Sequence, residues 1–111
     1  MTLTGQIDGG VVTGLGFALM EENPMTDGKI TTLNLGESKL PSIADVPPLK
    51  TVLVESPTGP TPFGGKAIAE NPNVPTAAAI ANAVADASGV RIFDLPLTSE
   101  KIYWALNGKQ Q

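Results

Sequence analysis

The chain has 111 residues, which is the size of one domain. Its formal net charge is -4, so it lacks the excess of basic side chains that binding to nucleic acid requires. The sequence contains neither Cys nor His, which excludes disulfides, thiolate nucleophiles, His-dependent catalysis and the usual zinc sites within the chain. Any chemistry must therefore use carboxylates, lysines, backbone amides or a cofactor.

The remaining composition concerns packing and location. The 12 glycines and 10 prolines are separated by apolar runs, which indicates turns and close packing. A chain of this size is expected to bury roughly two-thirds of its unfolded surface. No segment is long and apolar enough to span a membrane, and no signal-peptide pattern opens the chain, so we expect a cytoplasmic protein.

Residues 6–22 are predicted to form the first helix. Apolar side chains recur there at every fourth position, and Ala18 lies on the same side; the others are Ile7, Val11, Leu15 and Leu19. The same segment contains four glycines, at positions 9, 10, 14 and 16, and each weakens a helix by up to about 1 kcal/mol relative to Ala. The pattern therefore predicts that another backbone or a ligand lies against the glycine side.

The middle of the chain is predicted to be extended. Residues 29–35 and 51–55 are rich in β-branched side chains, and 51–55 is the stronger strand prediction. Residues 40–48 contain three prolines and are predicted to form a connection. Residues 56–73 form a loop of a length that is usually functional in a compact domain.

A second helix is predicted over residues 74–88. Asn73 is its candidate N-cap, and Gly89 provides a natural stop. Residues 90–93 are predicted to form a short strand.

The last predicted helix covers residues 99–106. Thr98 is its candidate N-cap, and Glu100 in the first turn suits the helix dipole. The fold class is therefore α+β, with residues 1–111 as a single domain.

Residues 62–70 carry the strongest functional signal. A turn of proline and glycines leads through a short apolar step to Glu70, and Asn71-Pro72 follows directly. Glycine allows a close approach of the backbone to another body, and proline fixes the direction of the chain. From the residues alone, Glu70 is either a solvated surface charge or a proton acceptor held between two rigid turns, and Lys66 is a local counter-charge.

Two nucleotide-binding patterns are approached but not met. The run Gly64-Gly65-Lys66 lacks the glycine spacing of a phosphate loop, and Ala67 replaces the hydroxyl residue of that loop. Leu19 occupies the third glycine position of a dinucleotide-binding pattern. Neither kind of nucleotide site is predicted.

Six pieces of sequence occur in one order along nearly the whole chain. Residues 6–22 read Gln-x-Asp-Gly-Gly, then Gly-Leu-Gly-x-Ala-Leu, and end in Glu-Glu, while residues 62–70 read Pro-Phe-Gly-Gly-Lys-Ala-Ile-Ala-Glu. The other pieces are residues 27–28 with Asn34, Pro41 with residues 45–47, residues 79–84, and residues 89–101. Together they resemble the C-terminal end of the molybdenum-binding subunit in the xanthine dehydrogenase/aldehyde oxidase family, the molybdenum hydroxylases.

The resemblance implies a small mixed helix and sheet domain like the C-terminal subdomain of a molybdopterin-binding domain. It implies that Glu70 is the catalytic base, which takes a proton from a molybdenum-bound hydroxide during oxidative hydroxylation of a heteroaromatic or an aldehyde. The metal is held by the pterin, so the chain supplies no metal ligand. The residues implied to shape the cofactor side are Gln6, Gly9, Gly10, Gly64, Gly65, Lys66 and Ala69.

Three positions depart from the family pattern. Asp8 replaces a Glu and shortens that side chain, Ala69 replaces the glycine before the catalytic Glu, and Asn71 stands where a proline is usual. The substitution at Ala69 adds a methyl group at a position where the family is tightly packed.

We expect a C-terminal fragment or a split subunit that is inactive without the missing upstream part. The isolated chain is not expected to retain the molybdenum-pterin cofactor, and its partner is a complementing chain of the molybdenum subunit. The alternative is a non-enzymatic module that keeps the fold and serves self-association as a homo-oligomer or partner binding, with apolar surfaces buried in the assembly. Neither a nucleic acid nor a membrane is an expected partner.

Overall fold

The computed structural model describes residues 2–108. Three helices carry the fold, and they are α1 (Thr2–Leu19), α2 (Thr76–Ser88) and α3 (Ser99–Leu106). Two short strands, β1 (Met25–Thr26) and β2 (Lys29–Ile30), pair in antiparallel register with Met25 opposite Ile30. The mixed helix and sheet class predicted from the sequence is confirmed.

Helix α1 packs through its glycines. Its buried residues are Gly10, Gly14, Leu15, Gly16 and Ala18. A methyl group at Gly14 would lie 2.6 Å from Thr76 Cβ at the start of α2, and one at Gly16 would lie 3.0 Å from Pro41 Cδ. The predicted close approach to the glycine side is thus confirmed at these positions, and the approaching groups belong to the chain itself. The helix occupies Thr2–Leu19 rather than 6–22, and the amides of Met20 and Glu21 close its end on the Gly16 carbonyl.

The second helix begins later than predicted. Pro75, with φ -81° and ψ -14°, precedes Thr76, and no side chain caps this end, so the prediction of Asn73 as N-cap is wrong. The backbone of Asn73 is instead part of a turn, because its amide donates to the Glu70 carbonyl and its carbonyl accepts from Thr76. The predicted stop is confirmed, since Gly89 is left-handed with φ 74° and its amide donates to Ala85.

Helix α3 has the predicted bounds and the predicted cap. The Thr98 hydroxyl accepts a hydrogen bond from the backbone amide of Lys101 at 3.2 Å. The adjacent segment anchors the helix to α1, because the Leu97 amide donates to the Ala18 carbonyl at 2.7 Å.

The strand predictions succeed only at the hairpin. Asp27 and Gly28, with φ of 50° and 75°, form the turn between β1 and β2, so only the first two residues of the predicted strand 29–35 are paired. Within residues 2–108, the predicted strands 51–55 and 90–93 have neither regular secondary structure nor a neighbouring strand. The predictions fail there because a strand requires backbone partners, which this part of the chain does not provide.

The molecule is more open than its length predicts. The buried apolar core described in residues 2–108 consists of Leu15, Ala18 and Leu97. The accessible surface is 8436 Å², whereas a folded monomer of 11.4 kDa exposes about 5,800 Å². Folding therefore buries about half of the unfolded surface rather than the expected two-thirds. The radius of gyration, 17.3 Å, exceeds the approximately 13 Å of a compact domain in the same way.

Candidate functional site

The turn that contains Glu70 is fixed against α1 at a glycine. A methyl group at Gly10 would lie 3.0 Å from Pro72 Cβ and 3.4 Å from the Ala69 carbonyl oxygen. The turn is closed by the Asn73 amide, which donates to the Glu70 carbonyl at 3.1 Å. The backbone on both sides of Glu70 is therefore held in place by the glycine surface of α1.

The side chain of Glu70 is exposed, and no other side chain or backbone amide in residues 2–108 donates to its carboxylate. A fixed backbone and an unengaged carboxylate suit a group that accepts a proton from outside the chain. The structure has a hydrogen-bonded turn before Glu70, closed by Gly65 on Pro62, and another after it, closed by Asn73 on Glu70, while the role of Glu70 stays a prediction.

The glycine turn before Glu70 is tight. Phe63 and Gly64 are both left-handed, with φ of 58° and 67°, and the Gly65 amide donates to the Pro62 carbonyl at 3.2 Å. The Thr61 hydroxyl also donates to the Gly65 carbonyl. Residues Pro62–Gly64 form a short 3-10 helix within this turn. The Phe63 ring is fully exposed there.

Lys66 is tied to the loop before the motif. Its Nζ atom donates to the Ser56 carbonyl at 3.1 Å, and this bond links residues 52–56 to residues 64–68. The positive charge is thus directed at a carbonyl oxygen rather than at the Glu70 carboxylate.

The structure brings the two predicted motifs to one side of α1. Gly64 and Lys66 line a groove of about 440 Å³ together with Leu3 and Ile7 from the first half of the helix. Residues 52–56 complete its wall. Of the residues predicted to shape the cofactor side, Gly64 and Lys66 line this groove and the others do not, and Glu70 lies outside its lining as well, so their roles stay predictions.

The predicted residues of α1 do not line this groove. Gln6 and Gly9 are exposed on α1, and a methyl group on Gly9 would meet nothing within 4 Å. Gly10 differs, because its surface is covered by Pro72 and Ala69 of the same chain. Gly9 therefore offers an open backbone surface, whereas Gly10 positions the turn beside it.

Two contributions were not predicted from the sequence. The Thr51 hydroxyl donates to the Asp8 carboxylate at 2.5 Å, and this partly buried bond fixes the start of residues 51–55 on α1. Ile68 lies between two grooves, the second of which has a volume of about 540 Å³ and lies along α1 and α2 beside Val11 and Ile80. The sequence contained a sign of this role, because Ile68 is a large apolar residue directly between two alanines, Ala67 and Ala69.

One carboxyl group outside the groove, that of Asp45, has a shifted pKa. The hydroxyl and the backbone amide of Ser42 donate to Asp45 at 2.7 Å and 2.8 Å, and these bonds hold the pKa of Asp45 below its ordinary value of 3.8. This bond pattern stabilises the connection of residues 40–48 and does not involve the groove.

The described part of the chain contains no group of three or more His, Cys, Asp or Glu side chains that could hold a metal ion. None of its helices is long and apolar enough to cross a membrane.

Comparison with known proteins identifies the class of protein that this chain resembles. Residues 1–47 match the sequence family of the molybdopterin cofactor-binding domain. The chain is 41% identical to the xanthine dehydrogenase molybdenum-binding subunit of Escherichia coli O157:H7, over 89% of the chain and 13% of that protein. It is 39% identical to the aldehyde oxidoreductase of Megalodesulfovibrio gigas, over 92% of the chain and 11% of that protein. It is 34% identical to the nicotine 6-hydroxylase large subunit of Paenarthrobacter nicotinovorans, over 94% of the chain and 13% of that protein.

About nine-tenths of the chain is therefore similar to molybdenum-binding subunits of the xanthine dehydrogenase/aldehyde oxidase family, and the predicted resemblance is confirmed. The chain spans 11–13% of the length of these relatives.

The residues present fit a molybdenum-pterin cofactor as one wall of its site. The amide of Gln6 and the amine of Lys66 are hydrogen-bond donors, and Gly9 leaves space for close approach of a planar group to the backbone. The groove lined by Lys66, which does not include Gln6 or Gly9, is open to solvent rather than enclosing. Residues outside this chain would have to supply the rest of an enclosed cofactor site.

Proposed function

We propose that this chain is the C-terminal segment of the molybdenum-binding subunit of a molybdenum hydroxylase, and that Glu70 is its catalytic base. The proposal is supported by the similarity to molybdenum-binding subunits and by one structural observation. The turn around Glu70 is fixed on Gly10, while its carboxylate has no partner among the described residues.

The bound cofactor would supply the oxidative hydroxylation chemistry, and the chain would supply position and proton transfer. Gln6, Gly9 and Lys66 would hold the cofactor side, and Gly64 and Gly65 would let the backbone approach it. Glu70 would accept a proton at its carboxylate. A complementing body over this open surface would exclude water from the Glu70 carboxylate and place a proton donor within its reach.

Activity would require the complementing part of the subunit. The chain spans 13% of the E. coli O157:H7 relative, and its groove is one open wall. We therefore propose that the isolated chain does not retain the cofactor. Heteroaromatics or aldehydes are the proposed substrate class, because the names of the nicotine 6-hydroxylase and aldehyde oxidoreductase relatives refer to such compounds.

A chimera tests the proposal. The chain would replace the matching 101 residues of the E. coli O157:H7 subunit, and molybdenum per polypeptide would be measured beside the parent protein and a deletion of that segment. We expect the chimera to load molybdenum as the parent does and the deletion to load none. In the chimera, Glu70→Gln should lower kcat by at least about 100-fold with molybdenum content unchanged, since general-base catalysis contributes 10²–10⁴-fold.

Glu22→Gln is the matched control, because Glu22 is also an exposed carboxylate and lies beyond the far end of α1. It should leave kcat unchanged. Absence of molybdenum from the chimera would contradict the segment assignment, whereas equal activities of the two variants would contradict only the role of Glu70.

The second candidate is a non-enzymatic module that associates with itself or a partner, which the excess exposed surface favours. Light scattering on the isolated chain and the metal content of the chimera separate the two. A stable homo-oligomer together with a chimera free of molybdenum would support this second function.

A further inference from the structure

Residues 51–55, Thr-Val-Leu-Val-Glu, are the strongest strand sequence of the chain and have no strand beside them in residues 2–108. No backbone hydrogen bond of Val52, Leu53, Val54 or Glu55 occurs within the described residues. Their amides and carbonyls are therefore unpaired on both edges, which is the arrangement that accepts a further strand.

The side chains of this segment are also uncovered. Val52 is 69% exposed, Leu53 is 44% exposed and Val54 is 92% exposed. A run that is apolar on both sides is typical of a strand inside a covered sheet rather than at a wet edge. The groove of about 440 Å³ continues this apolar surface onto Leu3 and Ile7.

The segment is anchored at both of its ends. Thr51 donates to Asp8 on α1, and the Ser56 carbonyl accepts from Lys66, so residues just outside Val52–Glu55 are anchored while the four between them are not. Anchored ends lower the conformational entropy that pairing would cost.

From these observations we infer that residues 52–55 pair, backbone to backbone, with a strand of the portion of the molybdenum subunit that this chain does not contain. The inference rests on the proposed function. The surface in excess of a compact monomer is about 2,700 Å², which is more than three times the approximately 800 Å² per partner of a standard interface. A single strand donated by a second copy of the chain would be too small to cover this much surface. A larger partner is available in the relatives, because most of their length lies outside the matching segment.

Hydrogen exchange measures the pairing directly. Amide exchange of residues 52–55 would be compared between the isolated chain and the chimera described above. We expect fast exchange in the isolated chain and slowing by at least about 100-fold at two or more alternate amides in the chimera. The Ile43 amide, in the exposed turn of residues 42–45, should exchange at the same rate in both.

The variants separate backbone pairing from apolar burial. In the chimera, Val54→Pro removes one amide and should abolish the slowing at its neighbours, whereas Val54→Thr keeps the amide and the branched side chain and should preserve it. Ile43→Pro is the matched control, because Ile43 is 93% exposed and occupies the second position of a turn, where proline is tolerated. It should leave exchange at 52–55 unchanged.

Each outcome addresses the inference separately from the proposed function. Slowed exchange in a chimera without molybdenum would support the strand pairing and contradict the proposed function. Fast exchange at 52–55 in a chimera with molybdenum would overturn the pairing alone, and fast exchange without molybdenum would overturn both. Slowing that appears in the isolated chain as its concentration rises would overturn the inference in favour of pairing between two copies.

Discussion

Glycine positions on α1 determine how closely the rest of the chain approaches the helix. Gly14 shows this most sharply, because a methyl group there would lie 2.6 Å from Thr76 Cβ. Gly5 and Gly9 lie on the same helix, and a methyl group at either would meet nothing within 4 Å. Substitution by Ala gives the same gain in helix propensity at all three, up to about 1 kcal/mol, so any difference between them reports contact with the rest of the chain.

We expect Gly5→Ala and Gly9→Ala to stabilise the isolated chain and Gly14→Ala to destabilise it relative to both. The contact with Thr76 involves Cβ rather than the end of a flexible side chain, so α2 must shift, and overpacking of this kind costs about 1–3 kcal/mol. Thermal unfolding should separate Gly14→Ala from Gly9→Ala by at least about 4 °C. Equal melting temperatures of the three variants would show that α1 and α2 do not pack through Gly14.

Helix α3 is an element that depends on its cap. With 8 residues it is too short to be stable alone, and the Thr98 hydroxyl satisfies the Lys101 amide in its first turn. We expect Thr98→Ala to lower the free energy of unfolding by about 1 kcal/mol and to accelerate exchange of the Lys101 amide. Ser99→Ala, at the next and exposed position, is the control and should change neither measurement. A Thr98→Ala variant as stable as Ser99→Ala would contradict the role of the cap.

The elements also show what the sequence could predict. The end of α2 at Gly89 and both ends of α3 depend on local chemistry, a left-handed residue and a hydroxyl cap, and they were predicted correctly. The predicted strand at residues 51–55 depends on partners distant in sequence, and the described residues provide none. The start of α2 was missed because Asn73 enters a turn with Glu70 before the helix begins.

The candidate site follows the same division. The rigid turns on either side of Glu70 could be predicted, since proline and glycine act locally. The docking of that turn on Gly10 and the Asp8–Thr51 bond could not, because each joins parts of the chain more than 40 residues apart. The glycine pattern of the first helix predicted a close approach but gave no means of naming Pro72 or Thr76 as the approaching residues.

At the scale of the whole molecule, the small buried surface has a thermodynamic consequence. The isolated chain exposes 8436 Å², so its unfolding exposes only about three-quarters of the new surface that a compact monomer of the same mass would. The dependence of unfolding free energy on denaturant, the m-value, scales with that newly exposed surface. We therefore expect a urea m-value about one-quarter below that of a compact domain of 111 residues, together with low stability.

In the chimera, the surface left open in the isolated chain would be covered, so the same residues should unfold cooperatively with the rest of the subunit and at higher urea concentration. The fluorescence of Trp104, the one tryptophan of the sequence, can follow this transition in the isolated chain, and hydrogen exchange can follow it in the chimera. An isolated chain with the full m-value of a compact domain would contradict the open packing, because it would mean that the chain covers its apolar surface without any partner. A reduced m-value that rises with protein concentration would instead show that a second copy covers part of that surface.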